Sequence, residues 1–100
     1  MKTFSIAVAL VLFALPAHAE DKTVPIRNFM FAMDVIIPSG STVTWKNMDG
    51  EPHTVVSLDG AFRSKALDEG DSFTYRFDKP GVYKYICSIH PKMTATVTVK

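Results

Sequence analysis

The stretch from Gly81 to Lys100 reads GVYKYICSIHPKMTATVTVK and consists of two alternating segments separated by a short loop. Apolar side chains occupy every second position on both sides of that loop: Tyr83, Tyr85, Cys87, Ala95, Val97 and Val99. Because successive side chains of a strand point to opposite faces, this alternation predicts two strands that each bury one face. The intervening residues 88–93 are too few for anything but a tight connection.

The same period of two recurs through the upstream part of the chain. Its inward positions are predicted to be Val24, Ile26, Val35, Ile37, Val43, Trp45, Asn47, Phe73, Tyr75 and Phe77. Turn residues at 38–41 and 79–81 separate these segments, and residues 54–58 are predicted to form another short strand. The segment 61–67 is predicted to be either a strand or an irregular crossing. No convincing helical repeat follows the first 19 residues, so the sequence predicts an all-β Greek-key β-sandwich of about seven to eight strands.

The N-terminal residues are typical of a cleavable signal peptide rather than of a folded domain. Lys2 precedes an apolar run from Phe4 to Leu15, and Ala17 and Ala19 provide the small residues expected before a cut. We therefore predict a signal peptide over residues 1–19, export to the periplasm and a single mature domain over residues 20–100. Without a cysteine at the cut, no lipid anchor to the membrane is expected.

The charges of the chain disfavour several classes of partner. The full sequence contains 11 basic and 10 acidic residues, and removing Lys2 with the leader makes the two equal. A domain of about zero net charge without basic runs has no electrostatic basis for binding nucleic acid or an anionic membrane surface. The single cysteine excludes an internal disulfide. In an exported protein, a lone thiol raises the question of what protects it, and metal ligation is one answer.

Cys87, His90 and Met93 form a C-x2-H-x2-M run, and His53 lies 34 residues before the cysteine. One thiolate, two imidazoles and a weak thioether are the ligands of a mononuclear blue copper site. Each residue taken alone has an ordinary interpretation as a packing or surface residue, but the joint spacing favours a metal site. Zinc is the alternative metal, yet it gains little from a thioether, so Met93 favours one copper ion per chain.

A site with four protein ligands leaves no open position for a substrate, which argues against an enzyme. Two classes of function remain after this argument. The first is a one-electron carrier that uses copper as its redox centre. The alternative is a periplasmic copper chaperone or copper-storage protein, which would need an exposed and exchangeable Cu(I) site.

Several motifs of the chain resemble those of the cupredoxins, and among them the amicyanin type with a short ligand loop. The matching segments are VIIPSG at 35–40, VTWKN at 43–47, PH at 52–53, AFR at 61–63 and GVYKYIC at 81–87. The resemblance implies a soluble, monomeric electron carrier with His53, Cys87, His90 and Met93 as copper ligands. It also implies redox partners such as a methylamine-type quinoprotein dehydrogenase as donor and a c-type cytochrome as acceptor.

The resemblance also assigns roles to residues around the ligands. It implies that Asn47 ties the strand before His53 to the cysteine loop. Ile89 departs from the family, which usually has proline there, and its restored N–H is predicted to donate to the Cys87 sulfur. An apolar docking collar around His90 is predicted from Met30, Met48, Pro52 and Pro91. Packing explains the Met30/Met33 pair better than Cu(I) binding, although contact with copper stays open.

Overall fold

The structure, a computed structural model, describes residues 18–100. Residues 1–17 of the predicted signal peptide lie outside the described residues. Within the described range the elements are strands, turns and loops, and no helical segment there has the length and apolarity needed to span a bilayer. The predicted all-β class is therefore confirmed.

Eight strands follow one another along the chain. They are β1 (Asp21–Arg27), β2 (Met30–Phe31), β3 (Val35–Ile37), β4 (Ser41–Asn47), β5 (Val56–Ser57), β6 (Ser72–Phe77), β7 (Gly81–Ile86) and β8 (Thr94–Val99). One sheet has the order β2-β1-β4-β6 and the other the order β3-β8-β7-β5. The pairs β1/β4 and β3/β8 are parallel, whereas the remaining pairs are antiparallel.

The core between the sheets contains many of the side chains that the alternation placed inward, and Phe31, Val55, Phe62, Leu67 and Met93 join them. Trp45 lies at its centre, fully buried, with ring centroids 5.5 Å from Phe62 and 5.3 Å from Tyr85. Such aromatic pairs each add about 0.5–1.5 kcal/mol beyond their buried area. Burial raises the pKa of the Tyr85 phenol to about 12, so this ring stays neutral within the core.

One strand is shorter than the sequence predicts. The strand predicted over residues 54–58 shortens to β5, because His53 and Val55 bond to Leu67 and Ser64 instead of joining a sheet. The segment 61–67 is an irregular crossing, one of its two predicted forms, in which Leu67 pairs with His53 and Arg63 with Val56 as isolated bridges. His53 therefore lies before β5 and pairs outside the two sheets.

The topology brings three connections to one end of the sandwich. Because β1 and β4 run parallel, the turn after Arg27 and the loop after Asn47 leave the sheet at the same end. The amide of Met48 donates to the carbonyl of Ile26 at 2.8 Å and joins the two exits. The loop after β7 reaches the same place, since Cys87 contacts Thr54.

Candidate metal centre

Three of the four predicted ligands meet at this end of the sandwich. The Cys87 Sγ lies 3.9 Å from His53 Nδ1 and 3.7 Å from His90 Nδ1. The three ligand atoms all lie within 4.8 Å of one another. A sulfur and a nitrogen bound in a trigonal plane, at roughly the 2.3 and 2.0 Å that such ligands adopt around zinc, would lie about 3.7 Å apart. The spacing and the donor types therefore fit a copper ion held between them.

His53 is held by two residues, Leu67 and Asp49, and is fully buried. Its backbone exchanges two hydrogen bonds with Leu67, of 3.1 and 2.7 Å. Its Nε2 lies 2.8 Å from the Asp49 carboxylate. An Nε2–H that donates to this carboxylate leaves Nδ1 as the acceptor that faces Cys87, and such carboxylate partners commonly orient metal-binding histidines.

The Asp49 carboxylate, which the sequence did not single out, also reaches the turn after β1. It accepts the backbone N–H of Asn28 at 2.7 Å and that of Phe29 at 2.9 Å. Burial raises the pKa of this carboxyl, but the hydrogen bonds from Phe29, His53 and Asn28 outweigh that effect and lower it. The side chain is therefore an anion at neutral pH and links the turn to the histidine.

Cys87 follows β7 directly and has no exposed surface. The Thr54 N–H donates to its Sγ at 3.3 Å. Burial raises the pKa of the thiol, but the Thr54 N–H bond and the close approach of the His53 and His90 rings outweigh it and lower the pKa to about 6. The environment thus favours a thiolate, the form that binds metals.

The loop that contains His90 and Met93 is closed by short-range backbone bonds. The amide of His90 donates to the Cys87 carbonyl at 3.2 Å, and that of Met93 donates to the His90 carbonyl at 2.9 Å. The Cys87 amide in turn donates to the Met93 carbonyl at 3.1 Å. Met93 is buried whereas His90 is only partly buried, so the loop folds its thioether inward and leaves an imidazole near the surface.

Asn47 is fully buried, but it supports a different segment from the one predicted. Its Nδ2 donates to the carbonyls of Glu51 and Leu67, both at 2.8 Å, and its Oδ1 accepts the N–H of Asp49. It therefore braces the loop that leads to His53. The prediction that it ties this region to the cysteine loop is wrong.

Thr54 makes that connection instead. Its Oγ1 accepts the N–H of Ser88 at 2.8 Å and lies 2.8 Å from the Ser88 hydroxyl. A threonine directly after the first predicted histidine ligand was a weak sequence signal, because the partner serine is 34 residues away.

The hydrogen bond predicted from the Ile89 N–H to the sulfur is not among those that the structure describes within residues 18–100. The Cys87 sulfur accepts the backbone N–H of Thr54 at 3.3 Å. The Ile89 side chain is about half exposed, at 49%. Ile89 therefore adds apolar surface beside His90 rather than a donor to the thiolate.

Exposed apolar residues surround this end of the molecule. The predicted collar residues Met30, Met48, Pro52 and Pro91 are all exposed, as is Met33. The structure adds Phe29, whose ring centroid lies 5.1 Å from that of His53 and 5.0 Å from that of His90. Its signal in the sequence was an asparagine followed by an aromatic residue at a turn that usually takes glycine second.

The chain is similar in sequence to several known proteins. A family model described as a cupredoxin-like domain matches residues 3–99. Amicyanin-alpha of Methylorubrum extorquens is 33% identical over 110 residues, which cover 100% of this chain and 92% of that protein. Plastocyanin of Scenedesmus fuscus is 34% identical, over 66% of this chain and 81% of that protein.

A solved structure of a Cu(I) amicyanin variant superposes with a TM-score of 0.74 at 25% identity, over 80% of this chain and 82% of that chain. The chain therefore belongs to the cupredoxin family, and it is a type 1 blue copper protein that carries single electrons.

Proposed function

We propose that residues 20–100 form the mature protein and that it carries electrons in the periplasm with His53, Cys87, His90 and Met93 as its copper ligands. The observation that supports this most is the meeting of three ligand atoms within 4.8 Å. They come from two segments that are each fixed by backbone hydrogen bonds. Bound copper supplies a one-electron couple at this position.

The protein's own part in electron transfer is to keep the ligands nearly still. Leu67 and Asp49 hold His53, while Thr54 holds the sulfur of Cys87. Because these contacts are made by the fold itself, a change of oxidation state needs little rearrangement of the protein. Preorganised support of this kind is what functional metal sites require.

The partners are proposed from the surface and from the relatives. Phe29 and Met30 expose apolar area next to the partly buried His90, and exposed apolar patches often mark docking sites. By analogy with amicyanin, the donor is a methylamine-type quinoprotein dehydrogenase and the acceptor a c-type cytochrome. A monomer would leave this surface free for both in turn.

The alternative of a copper chaperone or store receives less support. A protein that passes copper on needs ligands that a partner can reach, but Cys87 and His53 are fully buried. An enzyme would need an open metal position, which four protein ligands do not leave.

A direct experiment combines spectroscopy with rapid mixing. The copper-loaded protein should be intensely blue, and Cys87→Ser should abolish the colour because the thiolate–copper bond is its source. Mixing with reduced quinoprotein dehydrogenase should bleach the wild-type protein, and oxidised cytochrome c should restore the colour. If the serine variant stays blue the ligand assignment is wrong, whereas a blue protein that exchanges no electrons with either partner contradicts only the partner assignment.

The proposed maturation has its own test. Secreted protein recovered from the periplasm should begin at Glu20 on N-terminal sequencing. A retained leader or a different first residue would contradict the predicted cleavage and the domain boundary.

A further inference from the structure

The turn between β1 and β2 has an unusual residue in a strained conformation. Asn28 and Phe29 both have positive φ values, of 54° and 57°, and they connect strands paired through Arg27 and Met30. Two-residue hairpin turns of this kind favour asparagine first and glycine second. A bulky side chain in the left-handed region costs energy, so Phe29 is held there by something outside the turn.

The Asp49 carboxylate supplies that hold. It accepts both backbone N–H groups of the turn, from Asn28 and Phe29. The same carboxylate lies 2.8 Å from the Nε2 of His53. One anion therefore fixes the turn and one imidazole in relation to each other.

The turn places the Phe29 ring against both histidines. It meets the His53 ring at an interplanar angle of 90° and the His90 ring at 87°, with centroids 5.1 and 5.0 Å apart. Edge-to-face contacts at this separation are favourable. The two imidazoles themselves lie 5.0 Å apart, so the phenyl ring bridges the pair.

The two histidines differ in what else holds them. His53 has the Asp49 carboxylate and two backbone bonds to Leu67. Within residues 18–100, the described hydrogen bonds of the His90 ring involve only the Cys87 sulfur. The contact with Phe29 therefore provides a larger part of the restraint on His90 than of the restraint on His53.

We propose that Phe29 is a positioning residue that caps both imidazoles, keeps His90 seated against Cys87 and slows the loss of the metal. Asp49 acts through Phe29 by fixing the turn. This inference rests on the proposed assignment of His53 and His90 as ligands. It accounts for a phenylalanine at a position where glycine would form the turn with less strain.

Phe29→Gly separates the two roles of this position. Glycine suits the turn, so the apo protein should unfold at the same temperature as the wild type or a higher one. The loss of two ring contacts should nevertheless let a Cu(I) chelator remove the metal about tenfold faster. Phe29→Leu keeps apolar bulk without the ring edge and should fall between the two.

One further measurement is independent of the metal. Contacts between the Phe29 ring protons and those of both imidazoles should appear in nuclear Overhauser spectra of the apo protein, and Asp49→Asn should weaken them. As a control for the chelation experiment, Ile36→Ala removes an apolar side chain that is 63% exposed and lies outside the predicted collar, and it should leave the chelation rate unchanged.

The inference is overturned if Phe29→Gly and Phe29→Leu both release Cu(I) at the wild-type rate or more slowly. It is also overturned if Ile36→Ala accelerates release as much as Phe29→Gly, since a general loss of exposed apolar surface would then explain both. A wild-type protein that binds copper without blue colour would instead refute the ligand assignment on which the inference rests.

Discussion

The two halves of the metal centre are stabilised in different ways. The upstream half, residues 47–54, is tied to distant parts of the chain: Asn47 and His53 bond to Leu67, and Asp49 bonds to the turn after β1. The downstream half, residues 87–93, is closed mainly by bonds within itself, and its links to the rest run through Thr54 and Phe29.

This difference indicates that the two halves of the site have different roles. A buried ligand held by long-range hydrogen bonds moves only if the surrounding fold moves, whereas a short loop at the surface has fewer restraints. Under the proposed ligand assignment, the upstream half fixes where the metal lies, and the downstream half brings an imidazole to the surface where an electron can leave or enter.

The largest expected contrast comes from deleting each imidazole. In His90→Gly, external imidazole should enter the gap and restore the blue colour, because the side chain it replaces is partly exposed. In His53→Gly the gap is fully buried, so the concentration of imidazole needed should be at least about tenfold higher. Absorbance titrations of both variants measure this. Equal midpoints would contradict the asymmetry of the two halves.

The upstream network should be the more costly to break. Asn47→Leu leaves the Asp49 amide and the Glu51 carbonyl without their Asn47 partner, while the Leu67 carbonyl keeps only the His53 N–H. Each polar group left without its partner costs about 1–3 kcal/mol. We expect the free energy of unfolding of the apo protein to fall by about 3 kcal/mol in denaturant titrations. Lys46→Gln, at an exposed position of the same strand, is the control and should change little. A loss below about 1 kcal/mol would show that this network is not needed for the fold.

Breaking the link between the two halves should lower the free energy of unfolding by less. Thr54→Val keeps the shape but removes the hydroxyl that accepts the Ser88 N–H, so the free energy of unfolding should fall by about 1–2 kcal/mol. Thr54→Ser keeps the hydroxyl and should recover most of the loss. Thr54→Ser retains both the N–H bond to sulfur and the hydroxyl that lies 3.7 Å from it, so its blue spectrum should match the wild type. A serine variant as unstable as the valine variant would contradict the role of the hydroxyl.

Ile89→Pro should have the smallest effect. The structure describes no hydrogen bond from the Ile89 N–H to the thiolate, so its removal should leave the reduction potential nearly unchanged. A hydrogen bond worth about 1 kcal/mol would change the potential by roughly 40 mV. Voltammetry that finds a fall of that size would restore the original prediction that this amide donates to sulfur.

The sequence was most informative where a residue type occurs once and the pattern around it is local. Cys87 is the only cysteine, and its spacing to His90 and Met93 is local, so the loop was recognisable without knowledge of the fold. Period-two alternation placed Trp45 and Val97 inward, and both are fully buried. The sequence failed where function depends on partners far apart in the chain. The segment that Asn47 was predicted to hold in place was the wrong one, and neither Asp49 nor Phe29 was identified as part of the site.

By itself, the sequence determined the all-β class, the inward faces of the main strands and the residues with the right donor atoms for copper. These follow from side-chain periodicity and ligand chemistry, which are local properties. Only the tertiary structure decided which backbone N–H reaches the sulfur, which carboxylate orients His53 and which ring covers both imidazoles. Those contacts arise because β1 and β4 are parallel and end together with β7. Strand pairing between distant segments brings these residues together, and the residues themselves show no local sequence pattern that would predict the contacts.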